Sequence, residues 1–218
     1  MKKLELKNIK KTYNETIVLD GFSAICDSSK PSCIMGESGA GKTTLLNIIM
    51  GLVSADSGMA GYSFQSGAVV THGGYRTSAV FQETSLVPHL NPVINVAMVL
   101  GNNSDKKRIN QELGCLIDEE FLDKPCAQYS GGMKRRVEIV RAIMADSDIV
   151  VMDEPFAGLD PISMGVTARL IRSLNDALGA TSLMVTHDVE QTFEIADYVY
   201  MISSAKVAAQ GTPAALRA

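Results

Sequence analysis

Cysteine is scarce and unpatterned: four occur among 218 residues, Cys26, Cys33, Cys115 and Cys126. None forms a Cys-x-x-Cys pair and no Cys/His cluster has zinc-ligand spacing, which excludes zinc-finger and dithiol redox chemistry. They read as reduced, mostly buried thiols of a cytosolic protein. Long apolar runs are also missing. No stretch reaches the roughly 20 apolar residues that a bilayer-spanning helix requires. The start, Met1-Lys2-Lys3-Leu4-Glu5-Leu6-Lys7, alternates charged and apolar side chains and lacks the continuous apolar run of a signal peptide. Work at a membrane would therefore run through a partner. The formal net charge is -4 and no long Lys/Arg tract occurs, so nucleic acid is not expected as a partner. The short basic cluster Lys134-Arg135-Arg136 reads as the solvated face of a helix.

What is present is a globular composition, with 46% hydrophobic and 20% charged residues. The length suits one domain, or one domain with an inserted lobe. Leu4, Leu6 and Ile9 suggest a first strand, Ile17 to Leu19 a second and Phe22 to Ile25 a third. Ser32 to Met35 is a short apolar run that meets a glycine-rich turn, followed by a helix from near Lys42 to about Gly51. Ala68 to Val70 and Ser78 to Phe81 read as strands. Between about Leu86 and Cys126 the pattern turns helical. Asn91-Pro92 resembles a cap with proline at the first helical position, and a further helix is expected from Ser104 to Gly114. A longer helix follows Ser130, with Val137, Val140, Ile143 and Met144 on one face. Then come a strand from Asp148 to Asp153, a helix from Pro161 to Leu178, a strand from Ser182 to Val185 and a helix from Asp188 to Ala196. That alternation implies a parallel sheet with helices on its faces. The short strands of the first half imply an antiparallel piece beside it.

Gly36-Glu37-Ser38-Gly39-Ala40-Gly41-Lys42-Thr43 fits the phosphate-loop pattern G-x-x-x-x-G-K-[ST], between a strand and a helix as the motif requires. The glycines allow successive backbone N–H groups to turn toward an anion. The helix start adds free donors and a positive dipole end. Lys42 is placed to reach the β- and γ-phosphates, and the Thr43 hydroxyl to bind Mg2+. Asp153 and Glu154 close an apolar strand, where an open α/β sheet presents its ligand crevice. Asp153 is the expected Mg2+ ligand and Glu154 the expected general base for water.

Tyr129-Ser130-Gly131-Gly132-Met133 separates the possibilities. It resembles the signature motif of the ATP-binding cassette (ABC) family, and it opens the helix that precedes the acidic strand, as in that family. A serine cap, two glycines and a helix N-terminus make a second anion grip. Other landmarks follow in order: Gln82 resembles the loop glutamine that contacts Mg2+ and water, Ala157-Gly158-Leu159-Asp160 the loop that communicates across a dimer, His187 the γ-phosphate histidine, and Tyr13 the ring against adenine.

The resemblance covers Leu4 to about Gly211 and implies a P-loop NTPase fold. That fold has a central, mainly parallel sheet, an antiparallel β subdomain and an inserted α-helical subdomain. Residues 1–218 then form one unit, with about 1–85 and 136–218 as ATPase core and about 86–135 as the signature lobe. It implies ATP and Mg2+ as cofactors, with Glu154, His187 and Gln82 catalytic. Thr43, Gln82 and Asp153 are the implied metal residues. Tyr13, Gly36 through Thr44, Ser130, Gly131, Gly132 and Asp160 are the implied nucleotide contacts, the loop being Gly36, Glu37, Ser38, Gly39, Ala40, Gly41, Lys42, Thr43 and Thr44. Expected partners are a second copy in head-to-tail pairing, integral membrane permease subunits and a solute-binding protein. The expected location is cytoplasmic, on the inner face of the membrane.

The signature departs from the family where Tyr129 replaces leucine and Met133 replaces glutamine, while its Ser-Gly-Gly core is intact. The chain stops soon after the His187 helix, so no further C-terminal domain is expected. Import is the preferred direction. Val80-Phe81-Gln82-Glu83 and Leu86-Val87-Pro88 look like subunits for nitrate, sulfonate or taurine uptake. Phe81, Leu86, Val87 and Met98 are candidates for docking a permease helix, and core packing would explain each of them equally well. The alternatives are an ABC exporter ATPase, a soluble non-transport cassette, or another phosphate-loop enzyme. Against the last, no Asn-Lys-x-Asp guanine reader occurs.

Overall fold

The computed structural model describes residues 2–28, 30–101, 105–178 and 180–217, without the side chains of 173–178. Two sheets form its frame. The first is antiparallel, in the order β2 (Thr16–Asp27), β1 (Lys3–Tyr13), β4 (Ser57–Ser63), β5 (Val69–Thr71). The second has six strands. In spatial order they are β10 (Lys206–Gly211), β9 (Tyr198–Ser203), β3 (Ser32–Gly36), β8 (Thr181–Thr186), β7 (Ile149–Asp153) and β6 (Thr77–Val80). All its pairings are parallel except β10 with β9. Every residue of β7 and β8 is buried, which explains why these strands read as continuous apolar runs rather than alternating ones.

Among the described residues, three apolar clusters form the core. One lies between the two sheets and joins Leu4, Leu19 and Phe22 to Val151, Val185 and helix α1 (Lys42–Ile49). A second covers the other face of the six-stranded sheet, under α4 (Gly131–Met144), α5 (Pro161–Leu178) and α6 (Val189–Ile195). The third belongs to the helical segment, where α2 (Pro92–Leu100) and α3 (Lys106–Gly114) pack on the outer side of α4 through Val96, Ile109, Leu113, Val137 and Val140. Asn95 fastens that segment. Its side chain accepts from Val87 N at 2.8 Å and donates to Val87 O at 3.1 Å and Leu90 O at 3.3 Å. The predicted cap holds: Asn91 accepts from Ile94 N at 2.9 Å, with Pro92 opening the helix.

Several sequence expectations need correction. Ile17–Leu19 and Phe22–Ile25 are one strand, because β1 pairs along both and absorbs the irregularity as register shifts near Ile9 and Lys10. The expected strand at 68–70 is Val69–Thr71, and Phe81 lies beyond the end of β6. The helix start placed at Ser104 lies outside the described residues; Asp105 caps α3. The basic cluster is not a solvated face. Arg135 is only 5% exposed, because α4 is covered on two sides and Arg135 turns toward the loop after β6. Of the cysteines, Cys26, Cys33 and Cys126 are buried and Cys115 is exposed. No helix among the described residues is long and apolar enough to cross a membrane.

Candidate nucleotide site

The phosphate loop links the end of β3 to the start of α1, which places it at the carboxyl edge of the six-stranded sheet. Gly41 shows why its sequence is constrained. Its φ is +93°, and a Cβ there would stand 2.7 Å from Val18 O, so a side chain would be strained by conformation and by space. Lys42 is buried, and its Nζ donates to Gly36 O at 2.7 Å and Glu37 O at 3.0 Å. The ammonium is therefore held over the loop, 4.0 Å from Glu154 Oε1.

Beside it, Thr43 Oγ1 donates to Asp153 Oδ2 at 3.0 Å, across 110 residues of sequence. Burial pushes the Asp153 carboxyl above its usual range, while the Thr43 hydrogen bond pulls the other way. A hydroxyl and a carboxylate are hard oxygen donors, the type that Mg2+ takes. Together with the loop amides and Lys42 they fit a metal–polyphosphate group.

Glu154 has φ +47°, a left-handed conformation that non-glycine residues adopt rarely and that concentrates at functional positions. The strand β8 fixes it from the side. Glu154 N donates to Val185 O at 2.9 Å, Thr186 Oγ1 donates to Glu154 Oε2 at 2.8 Å, and His187 Nδ1 lies 2.9 Å from Glu154 Oε1. The carboxylate is buried while the His187 side chain is 72% exposed, so the pair spans from the sheet edge to the surface.

A cleft of about 620 Å3 gathers Glu37, Ser38, Gly39, Gly41, Lys42, Thr43, Thr44, Gln82, Asp153, Glu154 and His187, with Val18 as an apolar wall. Gly36 and Ala40 sit in the same loop, Gly36 offering its carbonyl to Lys42 and Ala40 lining an adjoining cleft. Other expected residues are elsewhere. Tyr13 ends β1, outside both clefts, with Lys11 Nζ 5.2 Å from its ring centre. Ser130 is exposed at the N-terminus of α4 and accepts from Met133 N at 3.2 Å. Gly131 is exposed and Gly132 buried beside it. Asp160 caps α5, accepting from Ile162 N and Ser163 N at 3.0 Å each.

Tyr129, the departure from leucine, buries its ring against Phe121, and its hydroxyl donates to Phe121 O at 2.6 Å. Of the expected docking residues, Phe81 and Met98 are exposed, Val87 is half-buried and Leu86 belongs to the helical core.

Sequence reasoning missed Thr186, Arg135 and Glu138. The signal for Thr186 was a hydroxyl at the end of a fully buried strand, which requires a partner. For Glu138 it was an acid set three residues from each of two arginines, Arg135 and Arg141, a spacing that puts all three on one helix face.

The sequence profile of the ABC transporter family matches residues 19–157. The chain is similar to the intermembrane phospholipid transport system ATP-binding protein MlaF of Haemophilus influenzae, with 36% identity over 96% of this chain and 83% of that protein. It is also similar to the sulfate/thiosulfate import ATP-binding protein CysA 1 of Chromobacterium violaceum, with 33% identity over 97% of this chain and 62% of that one. Among solved structures, an ATP-binding cassette captured as a dimer in a post-hydrolysis state with ADP and Pi superposes with a TM-score of 0.81. It is 25% identical, over 96% of this chain and 98% of that one. A nucleotide-free cassette superposes at 0.82 with 24% identity, over 97% of this chain and 92% of that one. The chain thus belongs to the ABC transporter family, as an ATP-binding subunit that hydrolyses ATP with Mg2+.

Proposed function

We propose that two copies of this chain close head to tail around two ATP molecules, and that Glu154 activates the water that cleaves each γ-phosphate. The observation that supports this most is the convergence of Lys42, Thr43, Gln82, Asp153, Glu154 and His187 on one cleft. Lys42 exchanges its loop carbonyls for phosphate oxygens. Thr43 and Asp153 hold Mg2+, which when bound neutralises charge developing on the phosphates. Gln82 and His187 orient the water and the γ-phosphate. Ser130, Gly131 and Asp160 lie exposed at the N-termini of α4 and α5, where a second copy's nucleotide would meet them. Tyr13, whose strand partner Thr16 lines the cleft adjoining the loop, is the ring assigned to adenine. Residues 1–85 and 136–218 act as ATPase core, and about 86–135 as the signature lobe.

The reading continues to a membrane complex. Phe81 and Met98, with Ile94 and Val99 on α2, expose apolar surface, to which a permease helix is assigned. The chain would sit at the inner membrane face through that contact. Transport toward the cytoplasm is retained as the direction. The MlaF relatives match over more of their length than the CysA relatives, so phospholipid is the first solute class to test and a small oxyanion the second.

Replacing Lys42 by Ala tests the site: ATP binding should be lost, and near-normal affinity would refute the assignment. Co-purification with an integral membrane protein tests the complex, since a soluble cassette would bring none. ATP turnover of that complex in phospholipid vesicles, against turnover stimulated by sulfate, separates the two solute classes.

A further inference from the structure

The loop that carries Gln82 is held by the helix that carries the signature. Three charged side chains of α4, at positions 135, 138 and 141, take up its main chain. The Arg135 guanidinium donates to Phe81 O through Nη1 and to Gln82 O through Nη2, the latter at 2.9 Å. Glu138 Oε1 accepts from Ser85 N at 2.7 Å, and its other oxygen lies 3.2 Å from Arg135 Nη1. Arg141 donates to Ser85 O at 3.1 Å. Arg135 is 5% exposed and Glu138 1%.

A buried ion pair is poor evidence for stability, because desolvation of both charges offsets most of their attraction. What it supplies is geometry. The guanidinium is a planar fork that fixes two adjacent carbonyls at once, and those carbonyls belong to the residue expected at the metal and to its neighbour. Ser130 opens the same rigid helix five residues earlier.

We propose that Arg135 is a positioning residue for ATP hydrolysis: it sets the main chain of Gln82 and ties it to the signature helix. The proposal rests on the reading that Gln82 acts in the cleft. Displacement of α4 then moves Gln82 in the chain's own site, so the engagement of Ser130 with a second copy is felt at the water and metal of the first.

The test is a double-mutant cycle on the assembled complex, reading ATP turnover and KM. Arg135→Lys keeps the charge beside Glu138 but loses the fork. Turnover should fall about tenfold with KM nearly unchanged, as expected for misplacement of a reacting group. In the Gln82→Ala background the same substitution should cost almost nothing more. Equal losses in both backgrounds would assign Arg135 a purely structural role and overturn the proposal. If Gln82→Ala alone leaves turnover intact, the reading of Gln82 fails instead, and the two failures are told apart. The cycle repeated with Glu138→Gln, which loosens the same grip from its other end, decides the matter should Arg135→Lys fold poorly: additive losses there also refute it.

Discussion

His187 Nδ1 lies 2.9 Å from Glu154 Oε1, while Glu154 Oε2 accepts from Thr186 Oγ1 at 2.8 Å. Both carboxylate oxygens are thereby fixed, one by the sheet edge and one by an exposed imidazole. An isosteric amide in place of the carboxylate keeps the shape and removes the proton acceptor. Glu154→Gln should lower turnover by about 100-fold or more while leaving ATP affinity nearly unchanged. Turnover within a few-fold of the parent, measured as phosphate release at saturating ATP, would remove Glu154 from the base role.

The Thr186 hydroxyl has no freedom to choose its partner. Asp188 N donates to Thr186 Oγ1 at 3.1 Å, so the hydroxyl proton is directed at Glu154. Valine has the same branching but leaves that oxygen without a donor. Thr186→Val should reduce kcat about tenfold with KM little changed, in line with the loss of one orienting hydrogen bond. Thr186→Ser should restore most of the rate. A valine variant as fast as the serine variant would show that Glu154 is held without this contact.

The cleft was legible where its residues are contiguous. The phosphate loop is eight consecutive residues between a strand and a helix, so local pattern sufficed. Asp153, Glu154 and His187 were found because buried strands end in polar groups at one edge of the sheet. Arg135 was misread because a helix covered on both sides has no solvated face, and a basic triplet does not reveal which members turn inward. Its main-chain partners lie 53 and 54 residues away, a distance at which spacing carries no information. Tyr13 rests on resemblance alone: its ring lines neither cleft, although its strand partner Thr16 lines the one beside the loop.

Acid should expose a separate element of stability. Glu5 on β1 accepts from Lys3 at 2.5 Å and from Lys7 at 2.7 Å, and these ammonium groups lower its pKa to about 2. The unfolded value is about 4.3. Because the folded pKa is the lower one, the contribution is complete above the unfolded value and disappears as pH falls toward about 2. Glu5→Gln should therefore flatten the decline of the urea midpoint across that window and change little near neutrality. An unaltered slope would mean that the two lysines stabilise Glu5 equally in the unfolded chain.

The two signature glycines should behave differently although they are adjacent. A Cβ on Gly132 would stand 2.5 Å from Ser163 Oγ and 2.9 Å from Ser163 Cβ, because α4 and α5 approach closely there. A Cβ on Gly131 meets nothing nearer than 3.8 Å. Gly132→Ala should destabilise the isolated chain by about 1–3 kcal/mol through overpacking. Gly131→Ala should leave stability unchanged or raise it by up to about 1 kcal/mol, since alanine is the better helix former. In the proposed pairing, however, the Gly131 methyl would enter the space between Ser130 and a second copy's nucleotide. ATP-dependent dimerisation of the Glu154→Gln protein, followed by light scattering, should therefore be lost on adding Gly131→Ala while the melting temperature holds. A dimer that forms as before would take the serine-bearing turn out of the interface and leave the two-copy arrangement without its second grip.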